Sequence, residues 1–256
     1  MVRGIESFRD WFHGYENQYA IIGGTACDLL MTEEGLDFRA TKDIDLVLII
    51  EAIDASFGKR LWEYIHAAGY ENRNKSTGVS QFYRFTEPKS KAYPAMIELF
   101  TRKPEAIILP EDAALTPLPI DEDISSLSAI LLDDDYYEFI KHGRMHISGV
   151  TILDALHLIP LKAKAWMDLT DRKSKGEQVD SRNIRKHKND VFRLSDLLPT
   201  DHAALSIIPE EVRKDMHDFV ERMSMEDVDL KQLGIQNREK DAILRTISQI
   251  YRLYSE

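Results

Sequence analysis

Asp43 and Asp45 stand two apart at the head of the run Asp43-Ile44-Asp45-Leu46-Val47-Leu48-Ile49-Ile50, whose apolar, β-branched tail reads as a buried strand. Residues two apart on a strand project from one face at a separation of roughly 6–7 Å. The two carboxylates therefore point together, while Ile44 and Leu46 face the other way. Carboxylates so placed repel each other, and beside apolar sequence they are costly without a cation. Magnesium is the hard, oxygen-bound ion that suits one or two carboxylates together with the phosphates of a substrate. An isolated Asp-x-Asp also reads as a solvated strand entrance, so the case rests on its surroundings.

Two other segments supply those surroundings. Tyr19-Ala20-Ile21-Ile22 is a short apolar strand ended by Gly23-Gly24, and Thr25 opens a helix. Glycines at such a turn allow close backbone approach, and the amides of the helix N-terminus attract phosphate. Taken alone, a Gly-Gly pair is more often an ordinary turn. Glu98 is the lone acid in the apolar stretch Ala95-Met96-Ile97-Glu98-Leu99-Phe100. An unpaired ion there is expensive, and a strand with one wet face is the alternative reading.

Taken in order, Ile22-Gly23-Gly24-Thr25, then Arg39-Ala40-Thr41-Lys42-Asp43-Ile44-Asp45-Leu46, then Ile97-Glu98-Leu99 resembles the signature of the polymerase-β-like nucleotidyltransferase superfamily. Within that superfamily the chain is most similar to the AbiEii/AbiGii-type group of prokaryotic toxin nucleotidyltransferases. The resemblance also implies a later helix lysine and an aspartate on a second, basic helix. Their counterparts are Lys162 in Leu161-Lys162-Ala163-Lys164-Ala165-Trp166, and Asp190 in Lys186-His187-Lys188-Asn189-Asp190-Val191-Phe192. Lys162 and Lys164 cannot share a helix face. Lys162 is preferred, because it lies on the side of Leu158, Ala165, Trp166 and Leu169 and its stem can cross apolar surface.

What the resemblance implies is attack by a hydroxyl on the α-phosphate of a nucleoside triphosphate, with pyrophosphate leaving. Asp43 and Asp45 would bind two magnesium ions, and Glu98 would complete one metal site and help activate the hydroxyl. Gly23, Gly24 and Thr25 would hold the phosphates, with Arg39 as a further phosphate contact. Lys162 would neutralise the triphosphate, and Asp190 would orient that lysine or the nucleotide. RNA, with the tRNA 3′ end foremost, is the implied acceptor, and a cognate antitoxin is an implied partner. Two other readings stay open: a small-molecule nucleotidyltransferase acting on an aminoglycoside-like acceptor, and a nucleotide-binding module without turnover.

These residues must be carried by an α/β half with a mixed sheet, expected over residues 1–150, and a helical half over residues 151–256 that completes the cleft. Residues 6–15, with Phe8, Trp11, Phe12 and Tyr15, read as a short amphipathic helix packed on the sheet. Residues 56–68 read as a helix stopped by Gly69. Further strands are expected at 79–85, 95–100, 124–132 and 144–153, with an ordered proline-rich loop at 104–119. Asp133-Asp134-Asp135 reads as a solvated turn in preference to a metal site. Helices are expected at 156–169, 183–198, 210–223 and 240–254.

Composition bounds the rest. The chain has 256 residues, 43% hydrophobic and 30% charged, which is the make-up of a folded soluble protein. Cys27 is the only cysteine, so an intrachain disulfide and a cysteine-based zinc site are excluded. Neither a secretory signal nor a run near the roughly 20 apolar residues of a membrane span is evident, and the expected location is cytoplasmic. A net charge of −11 argues against a broad grip on nucleic acid. The local basic stretch from Arg172 to Lys188 reads either as a solvated surface or as a small backbone-binding patch.

Overall fold

The computed structural model describes residues 2–49, 51–71, 84–100, 133–199 and 205–254. The chain divides into two compact units, one from Met1–Ile124 with Arg144–Asp154, the other from Ser125–Gly143 with Ala155–Glu256. The division expected at residue 150 falls at the start of a strand, and the second unit also draws in a helix from before the final hairpin. Among the described residues there are six strands and eight α-helices, an α/β content with a mixed sheet. No described helix is long and apolar enough to cross a membrane.

The first unit holds the whole sheet. Its strands are β1 (Tyr19–Ile22), β2 (Asp43–Leu48), β3 (Arg84–Thr86), β4 (Met96–Phe100), β5 (Arg144–Ile147) and β6 (Val150–Leu153), in the order β3-β4-β2-β1-β6-β5. β2 runs parallel to β4 and antiparallel to β1, and β1 runs parallel to β6. Helices α1 (Ile5–Trp11), α2 (Gly23–Glu33) and α3 (Ala55–Ala68) complete the unit.

One face of this sheet is closed by aromatic packing. Phe8 and Phe12 lie edge-on to Tyr19 of β1 at 5.4 and 6.3 Å, Tyr64 of α3 meets both, and Trp62 lies edge-on to Phe85 of β3 at 5.8 Å. Strand alternation puts Tyr19, Ile44, Ile97 and Phe85 on this covered face and turns Ile22, Asp45, Glu98 and Arg84 to the other. α3 starts at Asp54, whose side chain accepts the Phe57 amide, and stops at Gly69 with φ of 64°, a conformation open to glycine at little cost.

Three expectations need correction here. Residues 144–153 form a hairpin instead of a single strand, because Ser148 and Gly149 take φ of 49° and 81°, the two positive values of a type I′ turn. Gly23 and Gly24 do not precede the helix as a separate turn but form its first residues. Asp133-Asp134-Asp135 is no solvated turn: Asp133 caps α4 (Asp134–His142), accepting the amides of Asp135 and Tyr136, and the other two aspartates sit where the helix dipole favours negative charge. Of the strand expected at 79–85 only Arg84 and Phe85 lie within the described residues, and the 104–119 loop and 124–132 strand lie outside them.

The second unit is helical, with α5 (Ala155–Ser174), α6 (Ser181–Leu194), α7 (Glu210–Ser224) and α8 (Lys240–Ile250) packed with α4. The helix expected to run to 198 ends at Leu194 and tightens into a 3-10 turn over Ser195–Leu197. Pro160 lies inside α5 and cannot donate to the carbonyl of Leu156. The Tyr251 hydroxyl supplies that missing donor, tying the chain after α8 to α5.

Candidate active site

The site in the first unit is set by strand register. Asp43 pairs with Met96, Ile44 with Ile97 and Asp45 with Glu98 in the parallel β2–β4 ladder, so all three predicted carboxylates occupy one face. Ile22 stands across from Asp45 on the other side, which brings the β1–α2 junction beside the second aspartate. Gly23 takes φ of 71°, and a Cβ built there would lie 1.8 Å from Asp45 Oδ2. Only a glycine lets the carboxylate and the helix N-terminus meet so closely.

The other predicted contacts gather at the same place. A Cβ on Gly24 would stand 3.0 Å from Thr41 Oγ1 and 3.2 Å from a terminal nitrogen of Arg39. Arg39 therefore reaches back from the loop to the start of α2, its guanidinium also lying 5.1 Å from the Phe38 ring centre. The Thr25 hydroxyl donates to the main-chain carbonyl of Asp43 at 2.6 Å, so its proton ties α2 to the head of β2. Nearby, Tyr70 donates to the Pro94 carbonyl at 2.7 Å. Burial holds its phenol well above the ordinary value, and the Asp43 carboxylate adds slightly in the same direction.

Glu98 is buried, and its counter-ion is a residue sequence reasoning passed over. Arg84 stands opposite it in the antiparallel β3–β4 pairing and donates from Nε to Glu98 Oε1 at 2.5 Å. Alternation beside Phe85 already set Arg84 on the polar face, but its partner depends on a register between strands. The three carboxylates share a face without collapsing into one cage. Among the described residues, ligand-type side chains converge within 4.8 Å at His217, Asp218 and Glu221, a group local to α7. Asp43, Asp45 and Glu98 are not drawn together to that degree, as expected when Arg84 holds Glu98 and the aspartates are a strand repeat apart.

No protein-family model, curated protein or solved structure matches the chain.

The remaining predicted residues meet each other inside the second unit. Lys162 Nζ lies 3.2 Å from Asp190 Oδ2, with the two side chains 3% and 0% exposed. Lys162 is thus a buried helix lysine, and Arg193 approaches the other Asp190 oxygen at 3.9 Å. Lys164, the alternative, points into a separate network, pairing with Asp215, which also accepts the Tyr136 hydroxyl at 2.9 Å. Burial, with Asp215 adding to it, pushes the Tyr136 phenol well up. Three cations of the basic stretch are neutralised locally. Arg172 meets Glu177 at 2.6 Å, Arg182 meets Asp180 at 2.9 Å, and Lys188 meets Glu226 at 3.0 Å.

Proposed function

We propose that the protein is a magnesium-dependent nucleotidyltransferase whose donor nucleotide binds at the carboxylate face of the first unit. The observation that carries this reading is the pairing of Asp45 with Glu98 on the face that also holds Asp43, with Gly23 pressed against Asp45 at the start of a helix. The donor set suits a hard divalent ion, being three carboxylates with no sulfur or imidazole among them. When bound, such an ion would neutralise phosphate charge and lower the cost of activating a hydroxyl.

The chain's own groups have definable tasks. The first amides of α2, together with Arg39, offer hydrogen bonds and positive charge to a triphosphate. The acceptor hydroxyl oxygen forms a bond to the α-phosphorus as the bond to the bridging oxygen breaks, pyrophosphate leaves, and Glu98 is the candidate to take the hydroxyl proton. Lys162 and Asp190 enter the proposal as a charged pair of the second unit, to be tested in their own right.

RNA, foremost the tRNA 3′ end, is the first acceptor to test, in the setting of a toxin with a cognate antitoxin. A small cationic acceptor is the second reading, favoured by one observation: three cations of the basic stretch that would grip a phosphate backbone, Arg172, Arg182 and Lys188, are paired with acids of the same unit. Incubation with labelled nucleoside triphosphates, magnesium and total tRNA separates the readings. Label in RNA that is lost in Asp45→Ala supports the first, and label on an aminoglycoside supports the second. Thermal stabilisation by magnesium-ATP with no product from either acceptor would mark a binding module instead.

A further inference from the structure

Glu98 stands in a row of side chains across the sheet, with Asp45 on one neighbouring strand and Arg84 on the other. Only 8% of its side chain is exposed, so it needs a positive partner whenever it is ionised. Arg84 fills that need by a single Nε contact, not by the two-pronged grip a guanidinium can give a carboxylate. Among the described residues β3 is the last strand on its side of the sheet, with only the Glu71 bridge to Thr86 beyond it, and the Arg84 side chain is 29% exposed, so its long stem can turn toward solvent.

We propose that Arg84 and a divalent cation compete for Glu98, the guanidinium being the resting counter-ion of the carboxylate face and the metal displacing it. The inference rests on the reading that Asp43, Asp45 and Glu98 receive a metal, and it goes further by giving Glu98 two states. In the resting state Glu98 is held toward β3, which matches the spread of the three carboxylates. Once Glu98 turns to the cation, Arg84 is released beside the phosphates that the cation accompanies. Arg84 is a positioning residue in this scheme, acting through Glu98.

The alternative is a cross-strand ion pair that merely supports the sheet, and the two predict effects of opposite sign. If Arg84 competes, removing its charge strengthens metal binding, by about tenfold for a unit charge several ångströms from a divalent ion in a water-like medium. If it only supports Glu98, removing it leaves binding unchanged or weaker.

The test uses the full chain with manganese as the probe, free Mn2+ being followed by its paramagnetic resonance signal and the fold by circular dichroism. Arg84→Gln is expected to bind about tenfold tighter than the wild type. Arg84→Lys, which keeps the charge but loses the planar fork, is expected to bind about threefold tighter, and it serves alone should the glutamine variant not fold. Asp45→Asn should abolish binding. Unchanged or weaker binding by the Arg84 variants, with Asp45→Asn still abolishing it, overturns the competition and leaves the proposed site standing. Binding that ignores Asp45, for instance at His217, Asp218 and Glu221, or no binding by any variant, overturns both.

Discussion

Asp45 lies directly across from Glu98 in the parallel pairing of β2 with β4, so two acids separated by more than fifty positions in the chain present their carboxylates side by side. Each should then be indispensable to metal-dependent transfer, with the fold of each variant checked by circular dichroism because Glu98 also pairs with Arg84. Asp45→Asn and Glu98→Gln are expected to lower turnover by more than about 100-fold, beyond what loss of an outer-shell partner costs a metal site. Steady-state rates with the labelled nucleotide check this, and a variant within a few-fold of wild type would remove that residue from the site.

Gly23 and Gly24 should respond differently to the same substitution. Gly23→Ala places a Cβ against Asp45 at a φ of 71°, for a cost of at least about 1–2 kcal/mol from the left-handed conformation alone. Both stability and activity are expected to fall. At Gly24 the backbone is ordinary, and the new methyl would crowd the Thr41 hydroxyl and the end of Arg39. Gly24→Ala should therefore unfold at nearly the wild-type temperature while weakening nucleotide binding. Thermal melts with and without nucleotide measure the contrast.

The Lys162–Asp190 pair is buried at both ends. Removing either partner weakens the compensation of a charge in the helical core, at a cost of up to about 3–5 kcal/mol, with Arg193 near Asp190 offsetting part of it when Lys162 is lost. Lys162→Met and Asp190→Leu should each destabilise strongly, and the double variant should recover much of the loss. Urea denaturation of the four proteins gives the coupling. If the double variant is stable yet inactive with nucleotide, the pair has a role in binding beyond folding.

Tyr251 and Pro160 form a second coupled pair. Tyr251→Phe leaves the Leu156 carbonyl without the donor that replaces the absent amide, costing about 1–3 kcal/mol. Pro160→Ala restores an amide to the helix. The Phe substitution should accordingly cost much less in a Pro160→Ala background, a difference that denaturant midpoints would reveal.

Asp54 provides the pH dependence. Hydrogen bonds from Ser56 and from the Phe57 amide hold its carboxyl below the ordinary value. A carboxyl lowered in the folded state adds stability above its unfolded value near 3.8, and that stability is lost as pH falls through the folded value. Asp54→Asn keeps an acceptor at the cap but does not titrate. Its melting temperature should change less than that of the wild type between pH 5 and pH about 2–3.

Residue types and spacing determined much of this protein on their own. Alternation placed Asp43 and Asp45 on one face, because a strand's period is independent of its neighbours, and the apolar tail to Leu48 ensured burial. Helical periodicity located α3 and the four long helices of the second unit within a few residues, since each must bury a stripe of its own surface. The misses share a cause. The Ser148-Gly149 turn was hidden inside an apolar run, and the Asp133 cap looked like solvated charge, because both are decided by a few backbone angles instead of by periodicity. The family resemblance already implies that Glu98 joins the aspartates and that Asp190 orients Lys162 or the nucleotide. Only tertiary structure could supply the register that sets Glu98 beside Asp45 and the Lys162–Asp190 contact itself, seat Arg84 against Glu98, or give the Leu156 carbonyl a donor from Tyr251. Each of those is a contact between distant segments, fixed by strand register or helix packing, and neither is encoded in the local pattern of either partner.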